Sequence, residues 1–161
     1  MPPIKNKKQK SIIIAEYFIR KNQEDNKGLS NKKLQKLLYY SQAWSLVIND
    51  KKLFNDDIEA WVHGPAVPTV YSEFKKFGFD NINIKVSEKE LSAIATKDKT
   101  ILDEVWRVYG KFDASYLEML SHSETPWQEA RAGLPPNESS SNKISLDTMR
   151  EYYGKKLKKK S

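Results

Sequence analysis

The sequence predicts a mainly α protein: a compact helical domain of about six to seven helices with a small two-stranded β element. Three observations predict it. Apolar residues recur at helical spacing, as at Leu34, Leu37, Leu38, Trp44 and Ile48, and again at Ile101, Leu102, Val105, Trp106 and Tyr109. Helix-start chemistry precedes several such runs: Ser30, the box Ser87-Glu88-Lys89-Glu90, and Thr125-Pro126-Trp127-Gln128. Period-two alternation is confined to two short stretches, Ile58 to Val62 and Ile82 to Val86, which could pair. The chain has 161 residues, a single-domain length that buries about two thirds of its unfolded surface without a staple.

Each element follows in order. Ile12 to Lys21 reads as a helix with Glu16, Arg20 and Gln23 on its polar side and Ile13, Ile14, Tyr17 and Phe18 on the other; its β-branched run makes a strand the rival. The helix from Ser30 to about Ile48 is apolar almost all round and is therefore expected at the centre. His63-Gly64-Pro65 breaks the first strand, Pro68 opens a helix through Val70, Tyr71 and Phe74, and Gly78 suits its end. Further helices are expected after Ser87, over 98–109, over 114–122, from Thr125 to Gly133, and from Ser145 through Met149 and Tyr153. Leu134 to Asn142, with Pro135-Pro136 and Ser139-Ser140-Ser141, reads as a loop.

The net charge of +7 is concentrated at the ends. Residues 1–10 form a basic N-terminal tail and residues 154–161 a lysine-rich C-terminal tail; together they hold 4 + 5 = 9 of the 28 basic residues and no acid. The domain proper, residues 11–153, keeps the other 19 against all 21 acids, a net of −2. The tails read as solvated, frayed ends, with nonspecific, salt-sensitive nucleic-acid binding as the alternative. Absence of cysteine excludes disulfides, thiolate nucleophiles and thiolate metal sites. The apolar run Ile12–Ile19 is too short for a bilayer, and no signal-peptide core follows the N-terminus, so a cytoplasmic protein without a membrane partner is expected.

Catalytic signatures are missing. The two histidines, His63 and His122, stand in no metal-ligand motif, and no phosphate loop or nucleophile elbow occurs. A metal-dependent enzyme built on the two histidines is the weaker rival of a binding module, and neither cofactor nor metal is expected. The segment Trp61 to Pro68 is rigid, aromatic and turn-rich, the character of an interaction surface.

Three segments together carry a resemblance. They are Lys33-Leu34-Gln35-Lys36-Leu37-Leu38-Tyr39-Tyr40-Ser41-Gln42-Ala43-Trp44; Leu53-Phe54 with Ile58 to Tyr71, including Trp61-Val62-His63-Gly64-Pro65; and His122-Ser123-Glu124-Thr125-Pro126-Trp127. In order and spacing they resemble the Panacea domain, also described as SocA-like or GepA-like phage-associated protein, from about residue 11 to 153. Ala66 stands where the family often has valine. The resemblance implies an antitoxin that binds and neutralises a protein toxin, without enzymatic activity. It also implies a cognate toxin encoded by the adjacent gene and, in one form, delivery of that toxin to a host protease. Residues expected at the partner contact are Tyr40, Trp44, Trp61, His63, Pro65, Val67 and Tyr71. Leu34, Gln35, Leu38, Tyr39, Gly64, His122, Pro126 and Trp127 are expected as framework. Fold does not name the partner, since one fold serves unrelated toxins.

Overall fold

The computed structural model describes residues 8–160, and within them the fold consists of eight α-helices and one two-stranded sheet. The order is α1 (Lys10–Asp25), α2 (Asn31–Ile48), β1 (Glu59–Trp61), β2 (Gly64–Ala66), α3 (Pro68–Phe74) with a 3-10 turn over Lys75–Phe77, α4 (Glu88–Ser92), α5 (Thr96–Tyr109), α6 (Ala114–His122), α7 (Thr125–Arg131) and α8 (Leu146–Lys160). The mainly α class with one small β element is the architecture the sequence predicts. Helix α2 is its axis. Every residue from Lys33 to Ala43 is buried, and α1, α3, α5, α6, α8 and β2 all pack on it.

A helix enclosed on all sides can carry polar residues only where each finds a partner. Ser30 caps α2, its hydroxyl accepting from the Lys33 N–H at 3.2 Å. Gln42 clamps the following loop: its Oε1 accepts from the N–H groups of Leu53 (2.7 Å) and Phe54 (3.3 Å), and its Nε2 donates to the Phe54 carbonyl at 2.8 Å. Ser45 donates to the Lys51 carbonyl, and Lys33 donates to the Gly110 carbonyl while lying over the Trp106 ring. The loops around α2 are thus fixed from inside, by the helix they wrap.

Four expectations are corrected. The partner of β1 is not Ile82–Val86 but β2, joined by the two-residue turn Val62-His63 with Trp61 opposite Gly64. Ile82 instead donates its N–H to the Leu29 carbonyl, and the outer edge of β1 is covered by the Asn142 carbonyl and the Ile144 N–H. Glu16 is not on a solvated face; it is buried and bonded by Lys8 at 2.8 Å. Helix α7 has Glu124, not Thr125, at its N-cap, and the Glu124 side chain makes no cap hydrogen bond. Helix α8 does not stop near Tyr153 but runs to Lys160, as lysine is a good helix former and Lys156 is anchored to Glu124.

The tails are also more engaged than solvated ends. Lys8 pairs with Glu16 and Glu90, Lys10 with buried Asp98, Lys155 with Glu151 and Lys156 with buried Glu124. Lys5 and Lys7 lie outside the described residues. Among the described residues no helix is long and apolar enough to cross a membrane.

Replacing Gln42 by alanine leaves three buried backbone groups unpaired. At about 1 kcal/mol for each, Gln42→Ala lowers unfolding free energy by about 3 kcal/mol in urea titration. Hydrogen exchange at Leu53 and Phe54 accelerates more than at α5.

Candidate functional site

The three sequence segments that carry the family resemblance converge in space, on α2, on the β1–β2 hairpin and at the α6–α7 corner. Gln35 sits under the hairpin exit. Its Oε1 accepts from the Val67 N–H at 2.8 Å, and its Nε2 donates to Asn31 Oδ1 at 3.0 Å. Asn31 in turn donates to the Tyr71 carbonyl. One helical turn of α2 therefore holds both the end of β2 and the start of α3.

Lys36 lies beside it, 2% exposed, and its ammonium donates to the Pro65 carbonyl at 3.1 Å. Gly64 makes this approach possible. Its φ is +109°, and a Cβ there would come within 2.5 Å of Lys36 Cε and 3.1 Å of Ser121 Oγ. Any side chain at position 64 meets both backbone strain and a steric conflict.

The α6–α7 corner locks onto the same elements. His122 stacks on Trp127 at 4.0 Å, and the Trp127 indole donates to the Trp61 carbonyl at 2.9 Å. Burial pushes the His122 imidazole below its ordinary pKa. Glu124 reaches inward: Oε1 accepts from Tyr40 (2.6 Å) and Tyr153 (3.0 Å), and Oε2 from Lys156 (2.9 Å). Tyr40 stacks on Tyr109 at 4.1 Å, and Tyr39 and Tyr153 share a hydroxyl contact at 2.9 Å. The carboxylate is thus the hub of an aromatic cage, and burial, with the adjacent Glu124 charge, keeps the Tyr40 phenol well above its usual pKa. Arg131 completes the corner, donating to the carbonyls of Ala60, Pro135 and Glu138.

The residues expected at a partner contact divide by exposure. Tyr40, Pro65 and Val67 are buried; Trp44, Trp61 and Tyr71 are half-buried; His63 is exposed. Trp44 donates to the Tyr109 hydroxyl at 3.0 Å. Trp61 donates to Glu59 and packs edge-on against Tyr71 at 5.0 Å. His63 Nδ1 lies 2.7 Å from Glu118 Oε1, which also pairs with Lys32 at 3.1 Å. Burial alone would raise the Glu118 carboxyl, but the bonds from Lys32 and His63 hold it below its usual value. Of the framework set, Leu34, Gln35, Leu38, Tyr39, Gly64 and Pro126 are buried, while His122 and Trp127 are half-buried. The inward role of Glu124, the anchors Tyr153, Lys156 and Arg131, and the clamp Glu118 were not identified from sequence. The position of Glu124 inside His122-x-Glu124-x-Pro126-Trp127 was the available signal. Among the described residues no group of three or more His, Asp or Glu is placed to hold a metal ion.

Helices enclosing a buried, multiply clamped motif helix define this as a scaffold whose recognisable residues hold a hairpin in place. The model of the family "Antitoxin SocA-like, Panacea domain" matches residues 34–128, so the chain belongs to that family. It is also similar to Antitoxin SocA of Caulobacter vibrioides (strain NA1000 / CB15N), with 32% identity covering 85% of this chain and 79% of that protein. No solved structure matches.

Lys36 makes the site pH-sensitive. Burial pushes its ammonium down from 10.5 to about 7, with Lys32 adding to the fall and Glu118 opposing it. The unfolded chain therefore binds the extra proton between those values, and stability rises as pH climbs from about 7 toward 10.5. One such group gives a slope of at most about 1.4 kcal/mol per pH unit. Lys33, pushed by burial to about 8, adds a parallel slope. Urea unfolding of Lys36→Met at a series of pH values is expected to show a flatter profile than the parent. The variant is also expected to be the more stable of the two at the acidic end.

Proposed function

We propose that the chain is an antitoxin that neutralises a protein toxin by direct contact, in the cytoplasm and without a catalytic step of its own. The observation that carries this reading is the family membership, joined to a relative named as an antitoxin over most of both chains. The site supports it. The hairpin is presented on a rigid scaffold, and Trp61, His63 and Tyr71 reach its surface. Pro65 and Val67 lie buried in and just after β2, while Tyr40 and Trp44 pack against Tyr109 and Tyr153. A stable complex of this kind buries about 1,600 Å² in total, with a few aromatic anchors dominating.

Co-expression with the product of each adjacent open reading frame tests the reading. The expected result is a neighbour that arrests growth alone, is rescued by this chain and co-purifies with it. Trp61→Ala is then expected to weaken the complex about tenfold or more. Harmless neighbours, or rescue without a complex, would contradict direct neutralisation.

A further inference from the structure

A groove of about 430 Å³ opens beside the hairpin, between α2, the β1–β2 hairpin, Tyr71 of α3 with the 3-10 turn that follows it, and the loop at Ser139-Ser140. Buried Lys36 forms its floor, Trp61 and Tyr71 its wall, and Lys32, Lys75 and Phe79 its rim. Phe79 is 95% exposed, a large apolar ring in water beside an open groove. Among the described residues the lining holds three lysines and no carboxylate. Glu118 stands behind Lys32 and His63 and is already held by both.

The geometry points to this groove as the dock for an acidic segment of the partner protein: one aspartate or glutamate carboxylate flanked by an apolar side chain. That the partner is a toxin rests on the antitoxin reading above. The charge of the groove is one-sided. The Lys75 ammonium has no hydrogen-bond or ion-pair partner among the described residues, and Lys36 spends one of its three N–H donors, on Pro65. Because water barely reaches Lys36, its charge is screened less than a surface charge, and a carboxylate entering above it feels that field. The aromatic wall and Phe79 supply the apolar half of the match. A carboxylate docked there favours the charged form of Lys36, so binding takes up protons near neutral pH.

A nucleic-acid strand would use the same lysines and rings, but two observations favour the peptide. The chain's net charge of +7 owes its sign to its two ends; no residue of 154–161 lines the groove, and residues 11–153 carry a net charge of −2, from 19 basic and 21 acidic residues, a weaker draw for a polyanion at this place. Trp61 and Tyr71 are packed edge-on against each other, so the pair is not an open platform for stacked bases.

The test is an NMR titration of the 15N-labelled full chain at mildly acidic pH. The probes are N-acetyl-Gly-Glu-Phe-Gly-amide, the same peptide with Gln for Glu, and a short oligothymidine strand. The expected result is movement of the Gly64, Ala66, Lys75 and Phe79 amides, with about fivefold tighter binding of the Glu peptide. That preference falls in Lys36→Met and in the exposed variant Lys75→Ala, which leaves the core untouched. Equal binding of both peptides, no movement of these amides, unchanged preference in both variants, or tighter binding of oligothymidine at the same amides each overturns the proposal. If the adjacent-gene rescue fails while the Glu preference holds, only the antitoxin reading falls. If rescue holds and the Glu preference is absent, only this docking chemistry falls.

Discussion

The burial of α2 on all sides is the constraint from which the rest of the structure follows. Water reaches almost none of the helix between Lys33 and Ala43, yet five of those eleven positions are polar: Lys33, Gln35, Lys36, Ser41 and Gln42. Leaving such groups unpaired costs about 1–3 kcal/mol each, so the surrounding backbone must come to them. It does so at Gly110, Val67, Pro65 and the Leu53-Phe54 loop. Ser41 bonds within the helix, to the Leu37 carbonyl. The helix thus acts as core and template together: its apolar ridges gather helices, and its polar side chains set the loops.

The same logic explains why the family segments lie far apart in sequence and together in space. Tyr40 on α2 needs an acceptor, and Glu124 at the α6–α7 corner supplies it. Trp127 needs an acceptor for its indole, and the carbonyl of Trp61 on the hairpin supplies it. Each segment satisfies a buried polar group of another. Such a frame holds the hairpin and its groove steady.

Much of the fold was legible because helices announce themselves locally. The cap at Ser30, the all-round apolarity of α2 and the Ser87 cap are read from a few neighbouring residues, and the structure has them where the sequence puts them. The hairpin was half legible. The alternation of β1 was visible, but β2 is Gly64-Pro65-Ala66, three residues whose burial comes from α2 and α6 and not from any alternation of their own. Ile82 to Val86 alternates yet is held against α1 and Leu29 by single hydrogen bonds, from Ile82 and from Gln23 to Ile84. The site was less legible than the fold. Of the residues singled out near Trp61, His63, Gly64 and Tyr71 line the groove with it and Pro65 and Val67 do not, and Glu124, Glu118, Arg131 and Lys156 act over 29 or more positions of sequence or through backbone carbonyls. No periodicity records contacts of that kind.

Helix α2 positions the hairpin through its buried polar side chains, and Gln35 is the most direct lever. Hydrogen exchange of Gln35→Ala, compared with the parent chain, measures it. Faster exchange is expected at Val67 and across Gly64 and Ala66, with protection in α5 and α8 retained. Unchanged protection of the hairpin in a folded variant would instead place the positioning force in the apolar packing alone.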